Sequence, residues 1–222
     1  RNESDSIGSM TLPADVYYGV QSFRAVENFP ITGRHMIPEM INSLARLKKA
    51  CAMTNAGAGV LDPRIADAIA EACDRIMEGK FHDQFIVDPV QGGAGTSTNM
   101  NANEVIANIA IEILGGEKGN YFIVHPNDHV NCGQSTNDVI PTAAKLTVAK
   151  LLRGAIEQVT RLRDALADKE REFHNIIKMG RTQMQDAVPI RLGQEFGAYR
   201  SMVERDLVRM KRFPDELKYV NM

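Results

Sequence analysis

The chain has 222 residues, of which 44% are hydrophobic and 24% are charged, the composition of a globular protein with one large domain or one and a half. The formal net charge of −2 gives no reason to expect a nucleic acid or an acidic membrane surface as partner. No apolar run is long enough to span a membrane. The three cysteines form no paired framework, which favours a reducing, cytoplasmic location.

Turn-forming residues dominate the first 35 residues, where glycine and proline separate short apolar stretches. This pattern predicts loops, a small hairpin and a short helix near residues 21–28. From Pro38 onward, apolar side chains recur at the spacing of an amphipathic helix. The residues that show this spacing are Met40, Leu44, Leu47 and Cys51.

Two more helices are predicted before the middle of the chain. Asp62 and Pro63 supply an N-cap and a proline in the first helical position, and this helix should end near Gly79. Residues 80–98 are predicted as a glycine-rich loop. Residues 99–114 are predicted as a helix that stops at a pair of glycines.

The second half predicts two long amphipathic helices, at residues 142–173 and from Pro189 to about residue 213, with a polar loop at residues 178–189 between them. Each helix carries one apolar stripe, and the stripes are too long to be buried by this chain alone. We therefore expect a helical bundle formed with other subunits. The predicted fold class is mainly α.

Three polar loops share one pattern, because each is rich in hydroxyl and amide side chains and each leads into an apolar-periodic segment. They are "GGAGTSTNMNANE" (92–104), "GQSTNDVIPT" (133–142) and "GRTQMQDAVP" (180–189). Helix N-termini offer free N–H donors and a positive dipole end, which suit carboxylates and phosphates. We therefore predict a small anionic ligand with several oxygens, held where three helix starts converge.

Ordinary helix capping is the alternative for any one of these loops, since Ser, Thr and Asn are common caps. Three such loops in one chain favour the ligand. His125 and His129 are four residues apart, but Pro126 argues against the helix that would align them for zinc, so cap histidines are the favoured interpretation and no metal site is predicted. Cys132 has no partner base nearby in sequence and is interpreted as an ordinary thiol.

The same loops carry a resemblance to a known family. "FIVDPVQGGAGTSTNMNANEVIAN", "HPNDHVNCGQSTNDVIPT" and "KMGRTQMQDAVPIRLGQEF" closely resemble conserved regions of the aspartase/fumarase superfamily, and "PADVYYGVQSFRAVENFPI" resembles its N-terminal segment. The forms "GGAGTS" and "QSTND" are most similar to the aspartase branch. The resemblance covers essentially the whole chain.

This resemblance implies an N-terminal, mostly helical domain at residues 1–137. Residues 138–222 would form the first part of a central domain of long helices. Four subunits would pack these helices into a homotetramer whose sites are shared between subunits. The implied reaction is the reversible anti elimination of ammonia from L-aspartate, which gives fumarate through a carbanion delocalised into the adjacent carboxylate. No organic cofactor is implied, and activation by a divalent cation stays open.

The resemblance also assigns residues to roles. Thr96, Ser135 and Thr136 would hold the carboxylate that gains charge, Asn137 would lie near the amino group, and two residues would contact the other end of the small dicarboxylate or amino-acid substrate. Those two are Thr182 and Gln183, and a glutamine cannot titrate near neutrality. His125, Asn127 and Asp128 match a secondary carboxylate site of fumarases.

One departure from the superfamily concerns its third signature, a Gly-Ser-Ser loop that normally provides a serine base. This signature is not found in residues 1–222, so the base is expected beyond Met222 and the chain alone is expected to be inactive. Two alternatives follow: a fumarate hydratase, or a non-catalytic helical assembly or binding fragment.

Overall fold

The computed structural model describes all 222 residues and divides them into two compact units. The first unit comprises Arg1–Thr147 with Val220–Met222, and the second comprises Val148–Tyr219. The chain is mainly helical, as predicted. None of its helices combines the length and the apolar character needed to cross a membrane. The domain boundary expected after residue 137 stays a prediction about the whole protein.

The N-terminal segment has the small hairpin and the short helix that its sequence predicts. Strands β1 (Asn2–Asp5) and β2 (Gly8–Thr11) pair antiparallel, and helix α1 (Val20–Asn28) follows. Helices α2 (Pro38–Gly57) and α3 (Pro63–Met77) then pack against each other. The Asp62 side chain accepts a 2.8 Å hydrogen bond from the Arg64 N–H, which confirms the predicted N-cap of α3.

Helix α4 (Thr96–Ile113) lies at the centre of the first unit and begins three residues before its predicted start. Every residue from Thr98 to Ile111 is buried. A helix buried on all sides forms the middle of a core rather than one of its faces. The predicted loop before it contains one 3₁₀ turn at His82–Gln84.

Buried polar side chains of α4 hold surrounding segments in place. The Glu104 carboxylate accepts hydrogen bonds from the backbone N–H groups of Gly19, Gln21 and Ser22, at 2.9, 2.9 and 3.0 Å. These donors belong to the start of α1, so a side chain from the core caps a neighbouring helix. Burial raises the pKa of Glu104, while the hydrogen bonds from Ser22 and Gln21 oppose that rise.

Helix α5 (Thr136–Glu172) begins six residues earlier than predicted and contains Pro141 within its second turn. The prediction placed its start after the proline, because proline removes a backbone donor and usually interrupts a helix. Here the missing N–H would bond only the carbonyl of Asn137, in the exposed first turn. The helix therefore loses one hydrogen bond at an exposed site and continues.

The predicted polar loop at residues 178–189 is wrong, because this segment is a hairpin of β3 (Ile177–Thr182) and β4 (Gln185–Arg191). Its two-residue turn, Gln183 and Met184, has φ angles of 48° and 63°. Two successive positive φ angles give a turn whose twist matches paired strands. The sequence lacks the Asn-Gly or Asp-Gly signal that usually marks such turns.

Helix α6 (Leu192–Glu216) begins after this hairpin, so Pro189 lies in β4 and does not open the helix as predicted. Within the second unit, α6 contacts the end of α5 through an ion pair of 2.6 Å between Arg200 and Glu170. A Cβ on Gly193 would lie 2.6 Å from the Glu170 carbonyl oxygen, so glycine permits the close approach. Large apolar side chains of α5 and α6 stay exposed, among them Leu151, Leu162, Val208 and Phe213.

Candidate active site

The first turns of α4 and α5 lie against each other, which brings two of the predicted polar loops together. Gly95 precedes α4 with a φ of 90°, and a Cβ there would lie 2.9 Å from the Ile140 side chain of α5. One turn further along α4, the Asn99 side-chain N–H donates to Thr136 Oγ1 at 3.3 Å. Two helix N-termini, each with its positive dipole end, thus border one surface.

Capping accounts for part of the polar run at the start of α5. Ser135 Oγ accepts from the Asn137 N–H at 3.2 Å, and Asp138 Oδ2 accepts from the Ser135 N–H at 2.9 Å. These two bonds form a variant of the capping box, in which Ser135 accepts from the second helical residue rather than the third and aspartate takes the usual place of glutamate. The cap uses the side chains of Ser135 and Asp138, and it leaves those of Thr136 and Asn137 for other contacts.

Neither of the two hydroxyl groups at this helix start donates a hydrogen bond within the protein. Ser135 Oγ and Thr136 Oγ1 each accept a hydrogen bond from the protein, from Asn137 and Asn99 respectively. A hydroxyl that accepts in this way keeps its O–H free to donate. Ser135 and Asn137 are exposed, and Thr136 is half-buried, so an anion at this surface would meet free donors.

Thr96 is placed differently from the other predicted hydroxyls. It is the exposed first residue of α4, and its hydroxyl donates to the Gly93 carbonyl at 2.6 Å. In this arrangement the Thr96 proton is already used within the loop. A carboxylate held by this hydroxyl would therefore require the Thr96 side chain to rotate away from Gly93.

Sequence reasoning missed a buried lysine beneath the same loop. Lys48 is fully buried, and its Nζ lies 2.7 Å from Asn131 Oδ1 and 3.0 Å from Gln134 Oε1. Burial lowers the pKa of Lys48 to about 7, and the nearby thiols of Cys51 and Cys73 oppose this change. The available signal was its position on the apolar face of α2, four residues after Leu44.

The "HPND" stretch forms a single π-helical turn at Pro126–Val130. His125 Nδ1 accepts from the backbone N–H groups of Asn127 and Asp128 at 3.3 and 3.1 Å, and His129 Nδ1 accepts from the His125 N–H at 2.9 Å. Burial lowers the pKa of His129. Both histidines therefore accept backbone hydrogen bonds within this turn, as expected for cap histidines. No group of three potential ligands is arranged to hold a metal ion.

A cavity of about 480 Å³ in the first unit is lined by His125 and Asn127 from this turn and by Ser97 from α4. Arg24 also lines the cavity, and its guanidinium forms a 2.9 Å ion pair with the Asp5 carboxylate. The positive charge of Arg24 is therefore already neutralised within the protein. Asp128 is exposed at the outer side of the turn. A secondary carboxylate site at these residues stays a prediction.

Thr182 and Gln183 do not lie at a helix start. They belong to the second unit, where Thr182 ends β3 and Gln183 occupies the hairpin turn. Of the three helix N-termini predicted to converge, the structure therefore has two, and the third is corrected to a hairpin tip. Both side chains are exposed there, and their contact with a substrate stays a prediction.

Comparison with known proteins identifies the family to which the chain belongs. The profile of a family described as Lyase matches residues 8–222. Aspartate ammonia-lyase of Bacillus subtilis (strain 168) is 54% identical over 222 residues, covering 100% of this chain and 47% of that protein. Aspartate ammonia-lyase of Helicobacter pylori (strain J99 / ATCC 700824) is 54% identical over 209 residues, covering 93% of this chain and 45% of that protein.

Solved structures agree on the fold. Fumarate lyase:delta crystallin from Brucella melitensis matches with a TM-score of 0.90 and 47% identity, covering 100% of this chain and 52% of that one. A class II fumarase from Schistosoma mansoni matches with a TM-score of 0.84 and 37% identity, covering 99% and 47%. The chain spans about half the length of the curated relatives it matches. It belongs to the aspartase/fumarase superfamily of lyases.

Proposed function

We propose that this chain forms the carboxylate-binding part of an aspartate ammonia-lyase, which eliminates ammonia from L-aspartate to give fumarate. The adjoining first turns of α4 and α5, with the hydroxyl protons of Ser135 and Thr136 free to donate, carry this proposal. The aspartate ammonia-lyases that match the whole chain at about half identity support the choice of substrate.

The chemistry requires stabilisation of added negative charge. Removal of the C3 proton leaves a carbanion, which delocalises into the neighbouring carboxylate, and ammonium then leaves from the other carbon. Donors fixed in advance around that carboxylate stabilise the charge as it develops. Ser135 and Thr136 supply such donors as they stand, and Thr96 supplies a third after rotation.

The remaining contacts follow from the same assignment. Asn137 is exposed beside the two hydroxyls and would contact the amino group. Thr182 and Gln183 would contact the far end of the substrate, where Gln183 orients without exchanging a proton. The base is assigned to a serine outside residues 1–222, no organic cofactor takes part, and the 222-residue chain by itself is expected to be inactive.

Assembly is part of the proposal. The apolar side chains exposed on α5 and α6 would pack against the same helices of other subunits in a cytoplasmic homotetramer, with each site built from several subunits. The likeness to a class II fumarase makes hydration of fumarate the second candidate.

One experiment separates these functions. The full-length protein is incubated with fumarate, with and without ammonium, and the loss of fumarate absorbance is followed. We expect loss that depends on ammonium, with aspartate as the product. Loss without ammonium would indicate a hydratase. No turnover, together with measurable binding of a dicarboxylate, would indicate a non-catalytic binding protein.

A further inference from the structure

The Thr136 hydroxyl lies at the end of a chain of buried polar contacts. Lys48 Nζ lies 2.7 Å from Asn131 Oδ1, the Asn131 amide donates to the Gln134 carbonyl at 2.9 Å, and the Asn99 amide lies 3.1 Å from Asn131 Oδ1. The same Asn99 N–H₂ group reaches Thr136 Oγ1 at 3.3 Å. A fully buried lysine and a surface hydroxyl are thus connected through two side-chain amides.

The directions of these hydrogen bonds are fixed from the lysine outward. Lys48 contacts two amide oxygens, and both the ammonium and the neutral amine have the two N–H groups that these oxygens need. Asn131 must therefore turn its oxygen to Lys48 and its N–H₂ group to the Gln134 carbonyl. Asn99 must then present N–H₂ to the Asn131 oxygen, because the reverse orientation would place two oxygens against each other.

Asn99 keeps this orientation although it leaves a buried oxygen without a partner. Asn99 is 2% exposed, and its Oδ1 has no hydrogen-bond partner. Nearly all buried polar atoms in proteins are paired, so an unpaired one calls for an explanation. Reversing the Asn99 amide would be less favourable, because it would lose the hydrogen bonds that its N–H₂ group donates to Asn131 and Thr136.

We propose that Asn99 is a positioning residue that sets the direction of the Thr136 hydroxyl proton, with Lys48 and Asn131 fixing the orientation of Asn99. Because Thr136 Oγ1 accepts from Asn99, its O–H is aimed at the surface where the substrate carboxylate would bind. The inference rests on the proposed function. According to this proposal, a residue of the buried helix α4 determines whether the Thr136 hydroxyl presents its proton or a lone pair to the substrate.

The test reverses the polarity of Asn99. In full-length Asn99→Asp protein, the new carboxylate accepts the Thr136 proton and leaves only oxygen lone pairs facing the substrate. We expect kcat to fall by about 10²-fold, the size typical for loss of one donor to a developing anion. The change in KM should be smaller than the change in kcat, because the carboxylate gains charge in the transition state.

Asn103→Asp is the matched control. Asn103 is also fully buried, lies one turn further along α4, and contacts Met100 Sδ rather than Thr136. It reports the general effect of a new carboxyl group in this helix. An equal loss of kcat in Asn99→Asp and Asn103→Asp would overturn the proposal.

A double-variant cycle measures whether the effect of Asn99→Asp on kcat depends on the Thr136 hydroxyl. A purely structural role of Asn99 would give no such dependence. In a Thr136→Val background there is no hydroxyl to direct, so Asn99→Asp should lower kcat further by less than about threefold. The same loss in both backgrounds would overturn the proposal. Should Asn99→Asp fail to fold, Asn99→Leu replaces it, with an expected loss of roughly tenfold that again requires Thr136.

Failure of this inference differs from failure of the proposed function. An active protein in which Asn99→Asp has no specific effect overturns only the inference. If the unsubstituted protein does not convert fumarate and ammonium, the proposed function fails, and the same cycle is measured on affinity for succinate by calorimetry. Weaker binding in Asn99→Asp that disappears with Thr136→Val would support the inference, and equal binding would overturn it.

Discussion

Neighbouring residues at the start of α5 serve two different purposes, helix capping and the proposed binding of substrate. Ser135 and Asp138 form the capping box, whereas Thr136 and Asn137 are not needed for the cap. Thr136→Val and Asn137→Ala should therefore reduce turnover more than stability. A lost neutral hydrogen bond costs folding about 0.5–1.5 kcal/mol. A lost donor to a developing anion costs about 10²–10³ in kcat, or roughly 3–4 kcal/mol.

These variants are measured in the full-length protein for both kcat and the free energy of unfolding. Thr160→Val is the matched control, because Thr160 lies on the same helix, is half-buried and bonds only within the helix, to the Ile156 carbonyl at 2.7 Å. We expect normal kcat in the control. A large stability loss with near-normal kcat in Thr136→Val would show that the residue serves the helix and not the substrate.

Lys48 gives the stability of the protein a pH dependence whose sign follows from its burial. Its pKa is lowered to about 7 in the folded state from the value of 10.5 that is usual for lysine. Between these values the unfolded chain binds more protons, so stability rises with pH across this window, and below it the cost of the buried charge is fully present. Relative to Lys48→Met, the native protein should gain stability from pH 7 to pH 10.

Urea unfolding at pH 6, 8 and 9.5 checks this expectation. The comparison with Lys48→Met removes the contributions of groups that do not interact with Lys48. The thiols of Cys51 and Cys73 are coupled to the lysine, so their contribution is measured together with its own. A stability difference that does not change between pH 6 and 9.5 would show that Lys48 keeps an ordinary pKa in the folded protein.

At the scale of elements, the hairpin turn contains two non-glycine residues with positive φ angles. Met184 is 94% exposed and has a φ of 63°. Left-handed backbone costs a non-glycine residue about 1–2 kcal/mol, and glycine's extra unfolded-state freedom costs roughly 0.5–1 kcal/mol. Met184→Gly should therefore raise the free energy of unfolding by about 0.5 kcal/mol.

The control for this variant is Met202→Gly in α6. Met202 is 52% exposed and helical, so glycine there should destabilise by about 1 kcal/mol. Opposite signs for the two changes would identify backbone strain at Met184 as the cause. Destabilisation by both changes would mean that the Met184 side chain contributes a contact that outweighs the strain.

The elements that the sequence predicted correctly are those with a local signal. Asp62 with Pro63 marks the start of α3, and the apolar periods of α2, α4 and α5 are long and regular. The third polar loop was predicted incorrectly because Gln183 and Met184 carry none of the usual signs of a tight hairpin turn. Local patterns also cannot show that Lys48 lies beneath the loop at residue 131, since 83 positions separate them.

For the whole molecule, the exposed apolar side chains of α5 and α6 predict self-association. Leu162 is 51% exposed in the C-terminal half of α5. Leu162→Arg should weaken assembly of the full-length protein, because an arginine in an apolar interface must lose its hydration. Asp164→Arg, two residues away, introduces the same side chain with a larger change in charge, and it is the control expected to leave assembly intact.

Sedimentation velocity at several protein concentrations measures the outcome. We expect a tetramer for the native protein and for Asp164→Arg, and smaller species for Leu162→Arg. A stable monomer of the native protein would contradict the proposed assembly. Dissociation by both variants would extend the interface to the side of α5 that carries Asp164.

The burial of α4 on all sides has a consequence for motion. Helix ends usually fray, and frayed amide protons exchange rapidly with water. The start of α4 has little freedom to fray, because Gly95 lies against α5 and Asn99 is held from across the helix pair. The amide protons of Thr98 and Asn99, which donate to Gln91 Oε1 and to the Gly95 carbonyl, should exchange only when the whole unit unfolds. The groups that a ligand contacts there have already lost their conformational entropy during folding. Ligand binding therefore does not have to order them, and this favours affinity.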